Sequence, residues 1–318
     1  MIFKRMLGAF GVGAPTVDTV LATPRIQPGG LLMGEVRLKG GDFDAEIEHI
    51  ALGLVTRVEA EHGEGEQSGL AEFYRTEVSG PFTLRQGEER SVPFQIPVPW
   101  ETPVSEVAGQ HLPGMAMGVR TELAIAKAID KGDLDMVAVE PLPSQERILR
   151  AFAELGFHFK SADFELGRIH GVHQQLPFFQ EIEFYPPAQH AGYVNEIELT
   201  FVADPEGLEV ILEADKRGGR YGGSSDAIGR FRVGHQEALH RDWASEINGW
   251  LSSLSQYGTA GHHGYGHHEE HGHHGGHHDG PGWGTVAAAG AAGVVGGFVA
   301  AEVVEEIFES DEEEGGDW

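Results

Sequence analysis

The chain of 318 residues contains no cysteine. Disulfide staples, thiolate nucleophiles and Cys-based zinc ribbons are thereby excluded, and the usage fits a reducing, cytoplasmic compartment. Positive charge is also scarce. Lys and Arg number 22 against 50 Asp and Glu, for a formal net charge of −28. Such a chain repels phosphate backbones, so nucleic acid is excluded as a partner, and anionic membrane surfaces are disfavoured for the same reason. Basic protein partners are favoured. Catalytic signatures are missing too. There is no G-x-S-x-G elbow and no P-loop, and Gly11-Val12-Gly13 lacks the third glycine of a dinucleotide fingerprint. No enzyme activity and no required cofactor are expected. At the start, MIFKRMLGAFGVGAP places Lys4 and Arg5 before an apolar run, but Gly8, Gly11 and Gly13 interrupt it and no A-x-A site follows. It reads as a short segment packed on a domain, not as a secretory signal.

What is present is mostly strand signal. LLMGEVRLKGG alternates, with Leu32, Val36 and Leu38 on one face and Glu35, Arg37 and Lys39 on the other. IEHIALGLVTRVEAE is a longer strand, apolar on both faces at its middle. ERSVPFQIPVP puts Val92, Phe94, Ile96 and Val98 on a common face, and its prolines confine it to an edge or a bulge. In MAMGVRTELAIAKAID, Ala and Leu favour a helix. The large apolar residues Met115, Met117, Val119, Leu123, Ile125 and Ile129 nevertheless keep a period of two, so a strand is expected. Asp130-Lys131-Gly132-Asp133 should then turn into LDMVAVE. PLPS at 141–144 reads as a linker, with Ser144 capping a helix through Leu155 that carries Ile148, Leu149 and Phe152 on one face. Further strands are PFFQEIEFYPP and GYVNEIELTFVAD, the latter joined to LEVILEAD by an Asp-Pro-Glu-Gly turn at 204–207. Helical spacing of Leu239, Trp243, Ile247, Trp250, Leu251 and Leu254 closes the folded part. Many short strands punctuated by Gly and Pro argue for β-sandwiches.

FKRMLGAFGVGAPTVDTVL, PGGLLMGEVRLKGG and IEHIALGLVTRVEAE resemble the bacterial sporulation-control proteins with an arrestin-like fold. So do PFTLRQGEERSVPFQIPVPWETPVS, MGVRTELAIAKAIDKGDLD, RILRAFAELGFHF, LPFFQEIEFYPP and GLEVILEADKRGG. The resemblance covers roughly residues 1 to 255, in order, and leaves the tail outside. It implies a mostly β chain of two arrestin-like β-sandwich domains with short helices, at 1–140 and 141–255. It also implies a non-enzymatic, intracellular role in controlling early sporulation or cell division through protein contacts. It carries no catalytic residues onto this chain, and partner-binding residues stay unassigned.

Beyond the resemblance lie a His/Gly-rich linker at 256–283, an Ala/Gly-rich helix at 284–309 and an acidic tail at 310–318. The linker holds nine of the 18 histidines: His262, His263, His267, His268, His271, His273, His274, His277 and His278. Neutral imidazoles bind Zn, Ni or Cu, though an unorganised tract binds with modest affinity and little selectivity. His267, Glu270 and His271 match H-x-x-E-H, but surrounding glycines break the helix that motif needs, so the protease reading is rejected. In the Ala/Gly-rich segment, Ala289, Gly293, Gly297 and Ala301 fall four apart on one helix face, and no charge appears from 284 to 301. That stripe suits self-association into a homo-oligomer or docking of a partner, with membrane contact as the alternative. The paired carboxylates Asp42/Asp44 and Glu181/Glu183 read as solvated strand faces. His170 and His173 read as loop residues without a third metal ligand. The expected function is therefore that of a regulatory adaptor. The alternative is a metal-binding buffer or metal-responsive scaffold acting through the His tract.

Overall fold

A computed structural model describes residues 13–62, 65–216 and 227–259, and these fall into two compact units that meet in sequence at Pro141 and Leu142. The first twelve residues, the nine tract histidines, the stripe from Ala289 to Ala301 and the acidic tail lie outside the described residues.

The first unit contains β1 (Thr16–Leu21), β2 (Arg25–Ile26), β3 (Leu31–Lys39), β4 (Ala45–His62), β5 (Gly65–Ser79) and β6 (Phe82–Leu84). β7 (Glu89–Pro97), β8 (Glu106–Val107), β9 (Gln110–His111), β10 (Met117–Ile125), β11 (Lys131–Met136) and β12 (Ala138–Val139) complete it. β1-β3-β7 form one antiparallel sheet, and β11-β10-β4-β5 form a larger one with β6 beside β4. The alternation read from the sequence decides which side faces inward. Leu32, Val36 and Leu38 from β3 and Phe94 and Ile96 from β7 meet Ile47, Ile50, Leu52 and Leu54 from β4 and Met117, Val119 and Leu123 from β10 in one buried core. Each fully buried aliphatic side chain contributes about 1.5–3 kcal/mol. The unit is thus a two-sheet β-sandwich. Pro93 and Pro97 lie on β7, which among the described residues pairs only with β3, as suits a strand without those donors.

The β10–β11 hairpin exists, but its turn is earlier than the Asp-Lys-Gly-Asp signal suggests. Leu123 pairs with Lys131, so the chain reverses over 126–130. There Asp130 Oδ1 accepts the Ile125 N–H at 3.0 Å, and Lys127 takes a left-handed φ of 58°. Ile129 is left 58% exposed on the turn instead of continuing the apolar face.

The second unit runs α1 (Pro143–Leu155), β13 (His158–Leu166), β14 (Phe178–Tyr185), β15 (Val194–Ala203), β16 (Gly207–Lys216), β17 (Ala227–Gly234), α2 (His235–His240) and α3 (Trp243–Thr259). Its strands form one antiparallel sheet in sequential order, β13 to β17. Among the described residues this unit has a single sheet covered by helices, where a sandwich would have a second sheet. Phe152 of α1 stacks on Phe184 of β14 at 4.7 Å, and Trp243 of α3 meets Phe231 of β17 edge-on at 5.9 Å. Trp250 lies so close to Gly229 that a Cβ there would approach the indole to 2.8 Å.

Ser144 does not cap α1. Pro143 takes the first helical position, and Gln145 Oε1 accepts the Leu142 N–H at 2.8 Å. Ser144 is buried instead, its hydroxyl 2.9 Å from His235 Nδ1. The expected helix from 235 to 254 is two helices, because Arg241 leaves helical geometry and Asp242 Oδ1 accepts the Ser245 N–H at 3.1 Å to start α3. α3 runs to Thr259, four residues beyond the boundary expected at 255.

Candidate functional site

Strand periodicity sets the chemistry of the second unit's sheet. On β14, Phe178, Gln180, Ile182 and Phe184 point toward the helices and are buried. Glu181 and Glu183 therefore point to the opposite face, as their spacing of two requires. Cross-strand register extends the row: Asp163 pairs with Glu181, while Glu183 pairs with Glu198 and Glu198 with Glu213. Glu165 and Glu196 share that parity on β13 and β15. Like charges placed directly opposite destabilise a sheet, so this face carries a cost that the core beneath it must offset.

A cation relieves one end. Lys160 Nζ is 2.6 Å from Glu183 and also pairs with Glu196, and Ser161 donates to Glu183 at 2.7 Å. These partners hold the Glu183 carboxyl below its ordinary range despite partial burial. The same pairs raise the Lys160 ammonium above its usual value against the opposing effect of burial.

The other end is covered. Arg230 on β17 donates to the His170 carbonyl at 2.7 Å, although His170 belongs to the loop joining β13 and β14 at the opposite edge of the sheet. The loop must therefore cross the face above β15 and β16. Thr200, Val202 and Ile211, all on this face, are buried accordingly. Gln174 fixes the loop from within, donating to the carbonyls of Gly167, Leu176 and Phe178 at 2.8–2.9 Å.

Glu181 and Glu198 lie between loop and lysine. Burial, then the charge of Glu198, pushes the Glu181 carboxyl up to about 9. Burial, then Glu213, pushes Glu198 up to about 8. At neutral pH both carry protons, and either can exchange its proton for an incoming cation. The face is thus not merely solvated, as its sequence suggested. Among the described residues no group of three or more His, Asp or Glu side chains is arranged to hold a metal ion.

The face is bounded by β13, which among the described residues is an edge strand paired only with β14. Leu166 is 67% exposed and Phe159 37% on this strand, and Tyr185 is 51% exposed on β14. An edge strand with unpaired backbone groups and exposed apolar side chains is a template for another chain. Sequence reading missed this strand because a bulge between Phe159 and Ser161 breaks its alternation.

The remaining sequence candidates separate cleanly. His170 and His173 are exposed on the crossing loop, and among the described residues they join no group of three or more metal-ligating side chains. Asp44 Oδ1 accepts the Gln86 N–H at 2.8 Å, a turn contact in the first unit. Two polar networks were not foreseen. His235 Nε2 donates to the Asp204 carbonyl at 2.8 Å, so its Nδ1 accepts from Ser144. This Ser–His pair has the form of a nucleophile and base, but Ser144 is 2% exposed and serves to tie α1 to α2. His190, also buried, sits between Tyr193 and Asn248 and ties the β14–β15 connection to α3.

Three comparisons with known proteins agree. The family model described as SpoOM protein matches residues 3–218. A curated relative, the sporulation-control protein spo0M of Bacillus subtilis (strain 168), is 36% identical over 216 residues, covering 68% of this chain and 81% of that protein. The crystal structure of Spo0M from Bacillus subtilis superposes with a TM-score of 0.65 at 32% identity, covering 77% of this chain and all of that one.

Proposed function

The chain belongs to the SpoOM protein family, and from that premise we propose that it is a non-enzymatic regulator of sporulation or cell division that works by contacting other proteins. The observation that carries this reading is the match to a sporulation-control protein across 81% of that protein's length. The structure supports a particular contact surface: the β13 edge together with the carboxylate face beside it. Exposed Leu166 and Phe159, on the helix-facing side of β13, offer apolar anchors along the edge, and the edge itself offers backbone pairing. Glu181 and Glu198 favour a partner that brings Lys or Arg, because an incoming cation offsets the burial and repulsion that keep both protonated and lets them ionise. Charge complementarity of this kind speeds encounter and selects partners more than it adds affinity.

The test is genetic. Bacillus subtilis cells lacking Spo0M should regain sporulation efficiency when they express this chain. Cells that accumulate the folded chain and still show the unrescued spore count would oppose the reading.

A further inference from the structure

The first unit holds a carboxylate cluster that the proposed contact surface does not use. β1 and β11 are edge strands of the two sheets of the sandwich, and side chains join them. Thr19 N–H, on the side of β1 away from β3, donates to Asp133 Oδ2 at 2.7 Å. Thr19 Oγ1 lies 2.6 Å from Thr121 Oγ1 on β10, and Asp133 Oδ1 accepts the Leu134 N–H at 3.0 Å. Asp133 thus takes the place of a backbone carbonyl and closes one side of the sandwich. Two residues on, at the same parity, Asp135 points to the same seam, and its Oδ2 is buried without a hydrogen-bond partner.

Among the described residues the surroundings supply no positive charge to Asp135. β11 itself contributes Asp133, and β1 contributes Asp18. Arg37 of β3 lies opposite Asp18 in register but is bound to Glu35 at 2.6–2.8 Å. Lys131 stands at the far end of β11, opposite Leu123. On β10, Val119 and Thr121 face the seam. Arg120 and Glu122 alternate to the other face, where they pair with Glu72 and with Arg75 and His49.

We propose that the β1–β11 seam is a proton-dependent latch, closed while Asp135 is protonated and loosened when Asp18, Asp133 and Asp135 are all charged. A protonated Asp135 removes one of the three charges, leaving Asp133 free to hold Thr19. Ionisation buries an uncompensated carboxylate beside two others, and the relief is for β1 to part from β11 and admit water. Burial, then Asp133 and Asp18, raises the Asp135 carboxyl to about 6, so the latch works across the mildly acidic range. The sign is opposite to that of a salt-bridged carboxylate. The folded unit binds the proton more tightly than the unfolded chain, so stability is greatest at low pH and is lost as pH rises from about 4 to above 6.

Hydrogen exchange of the full-length chain tests the proposal. After correction for intrinsic exchange rates, the amides of 16–21 should lose roughly tenfold in protection between pH 5 and pH 7.5. Asp135→Asn should abolish that pH dependence and keep β1 protected at both values. Asp133→Asn should lower β1 protection at every pH. Should Asp135→Asn not fold, Asp18→Asn replaces it and must move the transition to lower pH by less than the full effect, since one neighbouring charge is gone and the carboxyl drifts back toward its ordinary value. Protection of 16–21 that is independent of pH, or a pH dependence unchanged in the Asp135 or Asp18 variant, overturns the latch.

Discussion

Among the described residues of the second unit, burial and neighbouring carboxylates push Glu181 up to about 9 and Glu198 up to about 8. Both are raised, so the folded unit retains protons that the unfolded chain gives up above about 4.5. Stability should therefore fall as pH rises from about 4.5 to 9. Glu181→Gln should raise the midpoint of thermal unfolding at pH 8 and flatten its pH dependence, and Glu198→Gln should do so to a lesser degree. The gain should be roughly 1–3 kcal/mol, since water at the open side of the face weakens the penalty on the charged form. Thermal unfolding at pH 5 and pH 8 checks this, and a Gln variant less stable at both values would show that the carboxyls are needed structurally. The pairing of Glu181 with Glu183 on one face was legible from spacing alone. Their burial was not, because it depends on a loop whose crossing is fixed by Arg230, about sixty residues away in the chain. Glycine carries a similar lesson at Gly34. A Cβ there would sit 2.4 Å from the Val20 carbonyl and 2.7 Å from the Phe94 ring, a close approach that alternation does not announce.

At the scale of elements, the strands that bury one face were readable and their ends were not. β3, β4, β7, β10, β14, β15 and β16 all appear where alternation placed them, and β10 is a strand despite its Ala and Leu content. Pattern outweighed propensity there because Met117, Val119 and Leu123 are buried on one side of the sheet. Caps were harder. Gln145 competes with Ser144 for the start of α1 because Pro143 already occupies the first helical position, leaving Leu142 as the residue to be capped. α1 then holds to the sheet through Phe152, fully buried between Phe157 at 4.8 Å and Phe184 at 4.7 Å. Phe152→Ala should cost about 3–5 kcal/mol and release α1 from the sheet. Denaturant unfolding should show the loss, and a cost below about 1 kcal/mol would mean that the helix is held mainly by its polar ties.

For the molecule as a whole, the net charge of −28 is not spread evenly in its consequences. In the first unit Glu72, Glu122 and Arg120, Arg75 form alternating pairs across β4, β5 and β10, and that face is close to balanced. In the second unit the carboxylate face has Lys160 bridging Glu183 and Glu196, while Arg232 holds Asp204 at 2.8 Å at the far end of the sheet. Among the described residues, a row of carboxylates thus stands next to an exposed strand edge, which composition could not reveal. The His tract and the small-residue stripe beyond it lie outside the described residues.

The most direct measurement is a cross-linked pull-down from sporulating cells with three full-length forms: native, Leu166→Lys with Phe159→Lys, and deletion of 262–278. Circular dichroism first establishes that all three are folded. One set of partners, rich in basic segments, should be captured by the native and tract-deleted chains and lost from the edge variant. Capture that survives the edge changes but disappears with the tract would contradict recognition through the edge.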